Sequence, residues 1–301
     1  MVAKKNARSL KPASAKDRQL TTSRSSIGLA AGRRYIPHSK KPLGLPTRGK
    51  TAPNRLRPTD TYLALCYPSF LRTAPGVFVD LGFGETPATT LESATRLRRL
   101  NPGLRLVGVE IDPARVAAAR PLSGAGLDFR LGGFNLPLGE SEPAAVIRAM
   151  NVLRQYPESE YAASIAMLVR SLVENGLLLE GTSNPPGALM VFNLYRRVGD
   201  ALAVDGLIFF ARLRHPFQPR SLQAVLPKNY IHHAEPGSAL DSFFADWENC
   251  WQRARGRGVK DQRLQFSLAA RMLRESGYSV DVRATLLRRG FLKLQNPPTV
   301  N

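Results

Sequence analysis

The feature that most constrains this chain is the block from Val77 to Asp112. A short apolar run, Val77-Phe78-Val79, follows Pro75-Gly76 and leads into Asp80-Leu81-Gly82-Phe83-Gly84-Glu85-Thr86-Pro87. Such a β-prone run bounded by turn residues reads as a strand entering a glycine turn. Thr86 is a good N-cap, and Pro87 suits the first helical position. Leu91, Ala94, Leu97 and Leu100 then recur at spacings of three, along one side of a helix that Asn101-Pro102-Gly103 stops. A second run, Leu104 to Val109, ends at Glu110, and Asp112-Pro113 starts another helix through Arg120. Strand, loop, helix, strand and helix in that order build a parallel sheet covered by helices, an α/β fold.

The alternation continues. Leu127 to Leu131 reads as a third strand and Ala144 to Met150 as a fourth, ending at Asn151. Tyr161, Ile165, Leu168 and Leu172 mark one face of a helix that Asn175-Gly176 closes. Leu177 to Gly181 is a fifth strand, Ala188 to Leu194 a sixth, and Leu207 to Arg212 and Gly290 to Leu294 supply later ones. Between them lies a helical stretch with Phe243, Phe244, Trp247 and Trp251. The two tryptophans stand one turn apart and read as core. No linker interrupts Leu56 to Asn301, so residues 51–301 are expected to form one domain.

The charge is uneven. Residues 1–60 hold 15 of the 43 Lys and Arg, but only Asp17 and Asp60 of the 23 acids. The stretch is poor in large apolar residues and cannot bury enough surface to offset its ordering entropy, so residues 1–50 are expected to be a disordered basic arm. Three roles suit it: a solubilising tail, a transit peptide, or an arm that binds RNA by releasing phosphate counterions. Thr51 to Asp60 either folds over the cleft as a lid or leads into the domain. The longest apolar runs, such as Gly206 to Ala211, fall short of the roughly 18–20 residues of a membrane span. No secretory h-region is visible, and two distant cysteines, Cys66 and Cys250, offer neither a disulfide framework nor zinc spacing. No metal and no membrane are expected, and the expected compartment is the reducing cytoplasm.

In a doubly wound sheet the carboxyl ends of the first two strands lie at one edge, where ligands bind. Gly82 and Gly84 permit close backbone approach there, and Glu110 can accept ribose hydroxyls. A nucleoside ligand follows. The dinucleotide fingerprint needs a third glycine, where Pro87 stands, and Asp80 favours an ammonium over a pyrophosphate. Asp80-Leu81-Gly82-Phe83-Gly84, followed by Glu110 ending the second strand, resembles the motifs of the class I S-adenosylmethionine-dependent methyltransferases. The resemblance covers roughly residues 75–215 and implies a Rossmann-like doubly wound sheet, with S-adenosylmethionine as cofactor. It implies cofactor contacts at Asp80, Gly82, Gly84, Glu110, Gly133 and Phe134. Gly133 stands where the family usually has an acid, and Phe134 is then the group to stack on the purine.

The fourth-strand block Ile147 to Leu153 resembles the family motif that faces the methionine end and the acceptor. Asn151 is accordingly expected to orient the methionine end or the acceptor, with Arg154 and Tyr156 holding the substrate. The plainer reading has Asn151 capping the turn and Arg154 solvated. Asn101-Pro102 and Gly108-Val109-Glu110 also look like the tRNA guanine-N7 methyltransferases, and Asn151 to Tyr156 looks like a stretch in an uncharacterised bacterial methyltransferase-like group. The expected activity is methyl transfer, with RNA as an acceptor consistent with the basic arm. The alternatives are a non-catalytic nucleic-acid-binding protein on the same fold and a small-molecule methyltransferase. His232-His233 reads as a polar loop pair rather than a metal site, and the basic loop Arg253, Arg255, Arg257 and Lys260 reads as solvated, with phosphate contact the alternative.

Overall fold

A computed structural model of the chain describes residues 26–27, 41–46, 49–214 and 216–299. Most of the basic arm, including His38, lies outside the described residues, as does His215. Among the described residues the strands are β1 (Ser26–Ile27), β2 (Val77–Leu81), β3 (Leu106–Glu110), β4 (Leu127–Leu131), β5 (Ala144–Met150), β6 (Leu172–Ser183), β7 (Leu189–Val198), β8 (Ala201–Ala211), β9 (Val280–Asp281) and β10 (Phe291–Leu294). They form one sheet in the order β4-β3-β2-β5-β6-β7-β8-β10-β9, with β1 paired to β8.

The sheet has two halves. β4, β3, β2, β5 and β6 are parallel neighbours. From β6 onward every pairing is antiparallel. The parallel half is doubly wound, and its order reverses between β2 and β5. Every residue of β2, β3 and β5 is buried, which matches their near-continuous apolar sequence. Alternation sends Phe78 and Val146 to one face and Val79 and Ile147 to the other. Helices Arg57–Cys66 and Ala88–Leu97 cover the first face, and helix Tyr161–Val169 the second. The antiparallel half packs on helices Ala239–Gly256 and Gln262–Glu275. Phe209, Phe243, Phe244 and Trp247 meet there with ring centroids 5.4–6.3 Å apart, and Trp251 packs edge-on to Phe217. Both tryptophans are fully buried core residues.

Three local expectations are corrected. Helix Ala88–Leu97 takes Pro87 as its N-cap and makes no side-chain cap bond, so Thr86 does not cap it. Helix Tyr161–Val169 ends early, and Asn175-Gly176 lies inside β6. There Asn175 has φ 62° and the β5–β6 register slips, so the turn signal marks a bulge rather than a helix end. Residues 41–46 and 49–50 belong against the folded body rather than to a loose arm, because their backbone bonds to the loops that follow β2 and β4.

The parallel half is built around one buried cation. Arg148, in β5, has no exposed surface. Its Nε donates to Asp80 Oδ1 at 2.9 Å, and its Nη2 lies 2.8 Å from Asp80 Oδ2. Its Nη1 donates to Asp60 Oδ1 at 2.8 Å and to Ser93 Oγ at 2.9 Å. Thr89 and Thr90 hydroxyls donate to Asp80, and Arg96 donates to the other oxygen of Asp60 at 2.9 Å. Asp80 is therefore saturated inside the core. This corrects its expected place against a cofactor ammonium: the carboxylate holds Arg148 instead. Removing the arginine alone leaves Asp80 buried without a cation and Asp60 with Arg96 alone. Arg148→Met should cost about 3–5 kcal/mol of unfolding free energy by urea titration; a loss below about 1 kcal/mol would show that the network contributes little.

Candidate functional site

The carboxyl ends of β2, β5 and β6 open onto a cavity of about 810 Å³. Its wall includes Gly82, Gly84, Asn151, Arg55, Thr182 and Ser183. Gly82 and Gly84 hold φ 73° and 88°, conformations that L side chains rarely adopt. Gly82 N–H donates to Val109 O at 2.7 Å, tying the turn to β3. Gly84 N–H donates to Glu110 Oε2 at 2.9 Å. The other oxygen of Glu110 accepts from Ile111 N–H at 2.9 Å, and Arg115 lies 3.7 Å away. The second-strand acid thus closes on the glycine turn and is fully buried, rather than free to accept ribose hydroxyls.

Asn151 has φ 62°, a strained backbone for a residue other than glycine. Its Oδ1 accepts from Ser183 N–H at 2.8 Å and its Nδ2 donates to Ser183 Oγ at 3.1 Å. It lines the cavity while clamping the ends of β5 and β6 together. Arg154 also lines it, exposed, with Nη1 donating to Ala224 O at 2.8 Å. Tyr156 does not join them. Its ring packs edge-on to Phe134, centroids 5.3 Å apart, and its hydroxyl bonds the backbone of Leu45. The expected substrate pair of Arg154 and Tyr156 is therefore divided between two subsites.

The second subsite is lined by Glu110, Gly132, Gly133, Phe134 and Tyr156, where the adenosine end of a cofactor is expected, and residues 43–45 fill it. Leu43 O accepts from Phe134 N–H at 2.9 Å. Leu43 N–H donates to Asn135 Oδ1 at 2.7 Å, and Asn135 Nδ2 returns a bond to Lys41 O at 3.0 Å. Gln155 Nε2 donates to Leu45 O at 3.1 Å. A Cβ on Gly133 would stand 2.0 Å from Leu43 O, so glycine here admits this strap. The remaining void is about 20 Å³, room for about one water. Phe134 is 4% exposed and offers no free face to a purine. The fit to S-adenosylmethionine is thus divided: the open cavity has room for the methionine end, whereas residues 43–45 occupy the subsite beside Glu110, Gly133 and Phe134. Of the segment Thr51 to Asp60, expected as a lid or a lead-in, Thr51, Ala52, Arg55 and Leu56 line the open cavity and Arg57 to Asp60 begin the first long helix.

Sequence reasoning passed over Thr182 and Ser183, which no motif marks, and placed Arg55 only within the segment that covers the cleft or leads into the domain. Among the described residues no group of three or more His, Cys, Asp or Glu is placed to hold a metal, and no helix is long and apolar enough to cross a membrane. Cys66 and Cys250 are free thiols.

No protein-family model and no curated protein matches the chain. Among solved structures it is similar to the magnesium protoporphyrin IX methyltransferase of Synechocystis PCC 6803, at 19% identity over 42% of this chain and 54% of that one, with a TM-score of 0.33. It is similar to an amino pentose methyltransferase of Micromonospora echinaspora, at 19% identity over 54% and 69% of the two chains, TM-score 0.32. A chain described as a pericyclic reaction enzyme also matches, at 19% identity over 37% and 28%, TM-score 0.29. The chain spans about half the length of the Synechocystis enzyme and less than a third of the pericyclic reaction enzyme.

Behind the cavity wall, Glu180 of β6 is almost wholly buried. Its Oε2 accepts from Tyr161 Oη at 2.8 Å and Asn193 Nδ2 at 3.0 Å, with no cation beside it. Burial pushes its carboxyl up to about 7, although both hydrogen bonds pull it down. The folded state therefore holds a proton that the unfolded chain releases near 4.5. Stability should fall as pH rises from about 4.5 to about 7 and stay lower above that. Glu180→Gln, which keeps an acceptor, should remove this slope and gain about 1–3 kcal/mol at pH 8 relative to the parent. Parallel pH–stability profiles for the two proteins would contradict the assignment.

Proposed function

We propose that this chain is an enzyme that transfers a methyl group from S-adenosylmethionine. The observation that carries the reading is the position of the 810 Å³ cavity at the point where the parallel sheet reverses its order, against the Gly82–Gly84 turn that Glu110 closes. S-Adenosylmethionine would supply an electrophilic methyl group on a sulfonium. The chain's own part is alignment. Gly82 and Gly84 let a ligand approach the backbone, and Glu110 fixes that turn. Asn151, locked to Ser183 by both amide atoms, forms a rigid polar wall at the end of β5. Displacement at a methyl carbon draws much of its rate from such positioning.

The reading requires residues 41–46 to leave the adenosine subsite. The product S-adenosylhomocysteine is the direct probe. Calorimetry should show binding to the full chain, and Glu110→Gln, which removes the charge, should weaken it about tenfold, the scale of one charge-assisted hydrogen bond. No binding to the parent protein, with the fold intact by circular dichroism, would remove the methyl-transfer reading.

A further inference from the structure

Among the described residues Arg55 is a cation without a counter-ion at the wall of the main cavity. It stands just before helix Arg57–Cys66 and is half-buried. Its Nε donates to Ser183 Oγ at 3.0 Å, one Nη to Lys50 O at 2.7 Å and the other to Ser183 O at 3.0 Å. All three partners are neutral oxygens. Arginine has five N–H donors, so each terminal nitrogen keeps one donor to give. Among the described residues Arg148 is paired with Asp60 and Asp80, Arg96 with Asp60 and Glu92, and Arg130 with Asp128 and Glu142, whereas half-buried Arg98, which lines no part of this cavity, bonds only the carbonyl of Leu104. Among the described residues Arg55 has no carboxylate within ion-pair distance, and burial pulls its pKa down instead.

The surroundings share this bias. Lys50 and Arg154 line the same cavity, against Glu85 as the one acid of its wall among the described residues. Thr182, 3% exposed, lines it as well, and its buried hydroxyl has no hydrogen-bond partner among the described residues. A guanidinium held by neutral acceptors, with unused donors at the wall of a cavity that Lys50 and Arg154 also line, is suited to receive an anion.

We infer that Arg55 is a subsite for a carboxylate carried by the ligand of this cavity. The carboxylate belongs either to the amino-acid tail of the cofactor or to the methyl acceptor. The naming of these two sources rests on the methyl-transfer reading, whereas the anion subsite stands on the geometry alone.

Calorimetry with S-adenosylhomocysteine and with 5′-methylthioadenosine, which lacks the amino-acid tail, separates the sources. If the cofactor tail binds here, Arg55→Gln weakens S-adenosylhomocysteine about tenfold and leaves 5′-methylthioadenosine unchanged, with Arg55→Lys recovering part of the loss. If the acceptor binds here, neither nucleoside is affected. Acetate then raises the Tm of the parent and of Arg55→Lys, at saturating S-adenosylhomocysteine, but not that of Arg55→Gln. A purely structural role for Arg55 lowers Tm without altering either ligand response. Equal nucleoside affinities and equal acetate shifts in the parent and Arg55→Gln would overturn the inference. Should S-adenosylhomocysteine fail to bind the parent, the methyl-transfer reading falls, and the acetate shift without nucleoside decides the subsite by itself.

Discussion

A guanidinium with no access to water must be neutralised and fully hydrogen-bonded, and Arg148 meets both demands by drawing four separate segments together. Asp80 comes from the end of β2, Asp60 from helix Arg57–Cys66, and Ser93 and Thr89 from helix Ala88–Leu97. Arg96 balances the second aspartate and reaches Glu92 and Asn54. The network thereby fixes where the chain enters the domain. Residues 49–56 are held beside the glycine turn, and Arg55 is brought to the end of β6. Cavity geometry and core electrostatics are in this sense one construction.

The ligand edge inherits a division from that arrangement. One side is open, cationic and walled by the Asn151–Ser183 clamp. The other carries the groups that would receive a nucleoside, yet the backbone of Leu43 and Leu45 already bonds Phe134, Asn135 and Tyr156. The strap satisfies polar groups that would otherwise face water or ligand, so its departure costs hydrogen bonds that an adenine edge has to replace. Cofactor affinity should accordingly reflect the difference between two occupants of one site rather than the strength of either.

Much of this was legible in the sequence where local chemistry and global fold agree. The run from Val77 through the glycine turn to Glu110 states its strands, its turn and its edge, because the apolar period and the glycines answer to the same constraint. Asp112-Pro113 starts its helix as read, with Asp112 Oδ1 accepting from Ala114 N–H at 2.8 Å. Long-range pairings were not legible. Arg148 lies between Ile147 and Ala149 in a strand of otherwise apolar residues, and a charge in such a run demands buried partners; nothing local says that these are Asp60 and Asp80. Composition likewise assigned residues 41–50 to a loose arm, since their attachment runs through backbone atoms that composition does not register. Asn175-Gly176 failed for a related reason: the same residues serve a helix end or a bulge, and the strand pairing decides.

In the methyl-transfer reading, residues 41–46 and the nucleoside of S-adenosylmethionine compete for one site at the edge of this sheet. Amide hydrogen exchange, followed residue by residue with and without S-adenosylhomocysteine, tests it most directly. The account predicts slower exchange at Gly82 and Gly84 together with faster exchange at Leu43 and Leu45 as the strap is expelled. Slower exchange at both segments, or no change at Leu43 and Leu45 while the glycine turn becomes protected, would contradict it.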